Sequence, residues 1–90
     1  MDDALALSEL EQLTEKLGIE IRRESLPGAG GLCQVRGKWI LFLSDALSAA
    51  EQVDVIAEAI RGIDLSSVYV RPALRQLLDV GEGGDAGKPL

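Results

Sequence analysis

The 90-residue chain has no histidine, one cysteine (Cys33) and fifteen acidic residues. The candidates for chemistry are the thiol, the carboxylates and a glycine-rich loop. Cys33 would need a base or a positive field to become a thiolate nucleophile. No histidine supplies one, and its place mid-strand on an apolar side predicts a small core residue. Glu51, Asp54 and Glu58 fall at i, i+3 and i+7, a spacing that could hold calcium or magnesium on a helix. They lie opposite that helix's apolar stripe, where a solvated charged face is expected. Glu9, Glu11 and Glu15 read the same way. No two acids are placed around a cleft for acid–base catalysis. Gly28, Gly30 and Gly31 ahead of Gly37-Lys38 have the composition of a phosphate loop without its spacing. The first glycine of that motif stands five residues before its Gly-Lys pair, where this chain has Leu32. Trp39 then stands where a serine or threonine would hold magnesium. No catalytic residue, metal ligand or cofactor site is predicted.

Charge and composition narrow the partners. The formal net charge is −6 and the pI about 4.5. That argues against tracking a phosphate backbone, which needs a basic stripe. Apolar residues make up 47% of the chain and aromatics 3%, so a folded core must be built from leucine, isoleucine, valine and alanine. The lone cysteine precludes an internal disulfide, unlike most small secreted domains. No run approaches the roughly 18–20 apolar residues that cross a bilayer. The N-terminus, Met1-Asp2-Asp3, is acidic and does not read as a signal peptide. A cytoplasmic protein with no membrane or nucleic-acid partner is expected.

The elements follow from periodicity. Leu7, Leu10, Leu13 and Leu17 predict a first helix from Asp3 or Ser8 to Leu17, closed by Gly18 in the left-handed conformation. Ile19 to Ser25 alternates as a half-buried strand. Leu26-Pro27-Gly28-Ala29-Gly30-Gly31 is a loop. Leu32–Arg36 and Trp39–Leu43 are two further strands, with Gly37-Lys38 as a two-residue turn. In that register Val35 faces Ile40 and Cys33 faces Phe42. Ser48 and Glu51 form a capping box for a second helix that buries Val53, Ile56, Ala57 and Ile60 and ends at Gly62. Pro72 opens a third helix with Leu74, Leu77 and Leu78 on its apolar side. The order α-β-β-β-α-α predicts a two-layer α+β domain over residues 1–80, with a three-stranded antiparallel meander packed on helices. Residues 81–90 read as a disordered tail.

On this register Ile19, Ile21, Cys33, Val35, Ile40 and Phe42 face the helices. The outer face then carries Arg22, Leu32, Gln34, Arg36, Trp39, Leu41 and Leu43. A contiguous apolar patch with tryptophan and arginine is typical of interfaces. The alternatives are that other parts of the chain cover this face, or that a one-residue slip exchanges the two faces.

Four segments carry a family resemblance: Leu17-Gly18-Ile19-Glu20-Ile21-Arg22, Gly30-Gly31-Leu32-Cys33, Gly37-Lys38-Trp39-Ile40-Leu41-Phe42 and Leu47-Ser48-Ala49-Ala50-Glu51-Gln52. Over residues 5–62 the chain resembles the opening half of the IrrE-like small zinc metallopeptidases. The resemblance implies a helix, a strand, a glycine-containing hairpin and then the active-site helix. In that family this helix carries His-Glu-x-x-His, two zinc ligands and a water-activating glutamate. Here Glu58 stands at the first histidine, Ala59 at the glutamate and Gly62 at the second histidine. The resemblance therefore implies a metallopeptidase-like scaffold without the metal or the reaction.

The function expected from sequence is a non-catalytic interaction or assembly module. It would bury its outer sheet face, or pair an exposed strand edge, with another protein, including a second copy of itself. Arg22, Gln34, Arg36, Trp39, Leu41 and Leu43 are the expected contact residues. The alternatives are a small acidic regulatory partner of a neighbouring enzyme, or a degenerate metallopeptidase-like domain, in its extreme form a vestigial hydrolase with carboxylate-bound metal.

Overall fold

A computed structural model describes residues 2–83. Helix α1 spans Asp3–Lys16. The Asp2 carboxylate accepts a 2.8 Å hydrogen bond from the Leu5 amide and caps it. Gly18, at φ +78°, turns the chain out of the helix, as its position predicts. Strands β1 (Glu20–Glu24), β2 (Gly30–Val35) and β3 (Lys38–Ser44) follow. Helix α2 (Ala49–Arg61) begins with the expected capping box. Ser48 Oγ accepts from the Glu51 amide at 3.2 Å, and Glu51 Oε1 accepts from the Ser48 amide at 2.8 Å. Helix α3 is Pro72–Gly83. It therefore runs three residues into the segment expected to be a tail, while residues 84–90 of that segment lie outside the described residues.

The α+β class and the order of elements agree with expectation, but the sheet does not form a meander. Its order is β1-β3-β2, with β1 parallel and β2 antiparallel to β3. Apolarity explains the difference. Trp39-Ile40-Leu41-Phe42-Leu43 is apolar on both faces, and such a strand gains most from neighbours on both sides. β1, with Glu20, Arg22, Arg23 and Glu24, is suited to an edge because its charges discourage further pairing.

The hairpin differs from expectation by one residue. Val35 pairs with Lys38, Leu32 with Leu41 and Cys33 with Ile40. The turn residues are thus Arg36 and Gly37, at φ +54° and +80°. A two-residue turn with both central residues left-handed matches the twist of the strands. The shift moves each partner by two positions, so Cys33, Val35, Ile40 and Phe42 still share one face, but it is the other face of the ribbon that packs against the helices. Leu41 and Leu43 are fully buried in one core with Leu10 and Leu13 of α1, Ile56 and Ile60 of α2, and Leu74 and Leu78 of α3. Ile19 and Ile21 join that core, as expected of β1. Cys33 and Val35 lie on the opposite face and are exposed. The five apolar residues from Trp39 to Leu43 leave no alternation to say which face turns inward, which is why the strand pattern alone misplaced it.

Gly30 is fixed by sterics. Its φ is +122°, and a Cβ there would run into the Phe42 carbonyl oxygen. Gly30→Ala is expected to lower the unfolding free energy by more than about 2 kcal/mol. Leu41→Ala or Leu43→Ala is expected to cost about 2–5 kcal/mol. Val35→Ala, on the helix-free face, is expected to cost clearly less. Urea denaturation of the four variants checks this order; equal losses at Val35 and Leu41 would contradict the assignment of the buried face.

Candidate functional site

With the face that carries Leu41 and Leu43 packed against the helices, the six expected contact residues do not form one outer surface. Leu41 and Leu43 are core and present no surface. Arg22 lies on the helix-free face, opposite Phe42. Gln34 and Trp39 pair with each other on the helix-facing side near the end of the hairpin, and Arg36 sits in the adjoining turn. A single outer patch of these residues does not exist. Its failure follows from which face of the ribbon is buried.

Where β1 meets β3, the helix-free face is closed by its own side chains. Glu20 stands directly opposite Ile40 in the ladder. It accepts from Arg22 Nε at 2.6 Å and lies 3.0 Å from Lys38 Nζ. Stems of long charged residues cover apolar surface while their heads stay in water, and Ile40 is only 3% exposed. The hydrogen bond from Arg22, and next that from Lys38, hold the Glu20 carboxyl below its ordinary range. Glu20 in turn raises Arg22. A second polar cluster pins β1 to the helices: Arg23 binds Glu11, and its Nε donates to Gln52 Oε1 at 2.9 Å. Arg71 binds Glu9 through two nitrogens at 3.0 and 2.7 Å.

What the structure does gather is a cleft of about 410 Å³ at the Trp39 end of the sheet. Leu17 and Ile19 come from the α1–β1 junction, Leu32 and Trp39 from the hairpin, and Ala59, Gly62 and Ile63 from the end of α2. None of these side chains is ionisable. Trp39 is 44% exposed there, because Ala59 and Gly62 leave the space beside it open. Sequence reasoning selected Trp39 and Leu32 but not the facing wall. The available signal was the pair of small residues at i and i+3, at the end of an amphipathic helix. Those two residues occupy the positions that the metallopeptidase resemblance gives to the glutamate and the second histidine. Glu58, at the first, is exposed. Among the described residues no three His, Cys, Asp or Glu side chains come together as a metal-ligand set.

Beside the cleft, β2 leaves an open edge. The Ser44 amide donates to the Ala29 carbonyl at 2.9 Å, in line with the register of the β2–β3 ladder. In an antiparallel ladder alternate residues exchange bonds with the partner strand. Gly31, Cys33 and Val35 thus bond to β3, and Gly30, Leu32 and Gln34 turn their N–H and C=O groups outward. Residues 30–35 carry no charge, so nothing in the strand discourages addition of another.

No family model, curated protein or solved structure matches the chain. Among the described residues no helix is long and apolar enough to cross a membrane.

Two solution measurements check this geometry. The folded value of Glu20 lies below its unfolded one, so its pairing stabilises the fold above the usual carboxylate range. That stabilisation fades as pH falls through the lowered value. A carboxyl-carbon NMR titration should place Glu20 below a glutamate in an unstructured peptide, and Lys38→Met should move it upward. Cys33 should react stoichiometrically with a maleimide in the native protein at low reagent concentration. Labelling only after denaturation would put Cys33 back in a core.

Proposed function

We propose that this chain is a non-catalytic protein-interaction module that accepts an extended segment of another protein along β2. The observation that carries the reading is the uncharged open edge of β2 lying directly beside an apolar cleft. Strand addition draws affinity from main-chain hydrogen bonds and specificity from pockets for alternate side chains. Here Gly30, Leu32 and Gln34 supply the former. The cleft under Leu32 and Trp39 supplies the latter, since residues directly opposite across a ladder share a face. Gln34, Arg36 and Trp39 keep the contact role expected of them, while Arg22, Leu41 and Leu43 contribute through the fold. Residence in the cytoplasm fits the exposed free thiol of Cys33.

A second reading is favoured by one observation. Ala59 and Gly62 line the cleft at the positions of a metallopeptidase's base and second histidine. A degenerate metallopeptidase-like scaffold that retains a cleft but lacks those groups is compatible with the same binding role.

Proline separates edge addition from other modes of binding, because it removes an N–H and is tolerated where that N–H faces outward. Peptides selected on the wild-type chain from a random nine-residue display library should lose binding to Gln34→Pro. That variant should keep its circular dichroism spectrum and cooperative unfolding. Cys33→Pro should unfold, because its amide belongs to the β2–β3 ladder. Peptides that bind Gln34→Pro as well as wild type would exclude strand addition at β2.

A further inference from the structure

We infer that the segment β2 accepts is cationic, with lysine or arginine two and four residues from an apolar residue that enters the cleft, both on the side that runs toward Gly30. This rests on the strand-addition reading and names the partner's chemistry. The argument begins on α2. Glu51, Val55, Glu58 and Gly62 step by four, three and four residues and so form one row along the helix. The row ends at Gly62 in the cleft wall. Both glutamates on it are exposed. A strand added to β2 is therefore bounded on its helix-facing side by Leu32 and the cleft, and next to them by two carboxylates.

The spacing is compatible. α2 starts beyond Ser44 and ends at the cleft beside Trp39, so Glu58 and Glu51 both lie toward the Gly30 end, about 6 and 16 Å along the helix from Gly62. Side chains two and four residues along a strand stand about 7 and 13 Å away on the same face. Flexible lysine side chains span that difference. Positive charge is not wanted at the far end of the edge, where Arg36 stands in the turn and Lys38 pairs with Glu20. The cations are thus called for along the body of the segment.

The same charges disfavour a second copy of this chain. Antiparallel pairing of β2 with itself runs about a two-fold axis perpendicular to the sheet, which places both helical layers on one side. The acidic rows of the two α2 helices then face each other, and like charges across an interface are costly. Each copy also carries a formal charge of −6.

The test uses the full chain, labelled with nitrogen-15, and two end-capped peptides, Thr-Leu-Thr-Lys-Thr-Lys-Thr and Thr-Leu-Thr-Glu-Thr-Glu-Thr. The lysine peptide should shift the amides of Gly30, Leu32 and Gln34 and the indole of Trp39, and bind at least tenfold more tightly than the glutamate peptide. The double variant Glu51→Gln with Glu58→Lys should reduce that preference to below threefold. Glutamine at position 51 can still serve the capping box, so the helix is retained. Equal binding of both peptides at β2 would overturn the charge assignment and leave strand addition standing. Absence of any shift at β2 would overturn both. A stable dimer with β2 at its interface would overturn the inference in favour of a second copy.

Discussion

The structure depends on where β3 is placed. Its run from Trp39 to Leu43 is apolar at every position, so neither face can be left wet without loss. The sheet meets this by pairing β3 on both edges and burying Leu41 and Leu43 at zero exposure beneath the helices. Ile40, on the other face, is covered by the Glu20–Arg22–Lys38 cluster. Once β3 is central, β1 must lie parallel to it on one side and β2 antiparallel on the other. The edges then fall to a charged strand and to an uncharged strand that begins with two glycines.

That division of edges is what makes β2 the surface open to a partner. β1 is crowded with charge and tied to the helices through Arg23, Glu11 and Gln52. β2 has neither protection. The arrangement that forces Gly30 to be glycine also brings the strand close over Phe42. The helix-facing side of β2 runs into the space left by Ala59 and Gly62. One constraint, burial of β3, thus sets the core, the open edge and the cleft beside it.

The helices were legible in the sequence because their signals are local. Ser48 with Glu51, Gly18 in the left-handed region and the Val53-Ile56-Ala57-Ile60 stripe all appear where periodicity and capping put them. The hairpin was legible as a hairpin, since β2 and β3 are adjacent and joined by a glycine turn. Its turn position and its buried face were not: a turn at Gly37-Lys38 or at Arg36-Gly37 leaves the same residues sharing a face, and the apolar run of β3 does not say which face turns inward. The crossing of the chain from β1 past β3 to β2 left no trace in the loop Leu26–Ala29, because strand order is decided by competition between strands. The site followed the buried face. Trp39 was picked out by type alone. Its wall on α2 was hidden because small residues near a helix end carry little pattern of their own.

Amide hydrogen exchange along β2, read residue by residue in the free protein, tests the central claim most directly. If β2 is an open edge bonded to β3 only through alternate residues, Gly31, Cys33 and Val35 exchange slowly, while Leu32 and Gln34 exchange fast. Uniform protection from Gly31 to Val35 would mean that the edge is already covered. The inverse alternation would mean that the register is wrong.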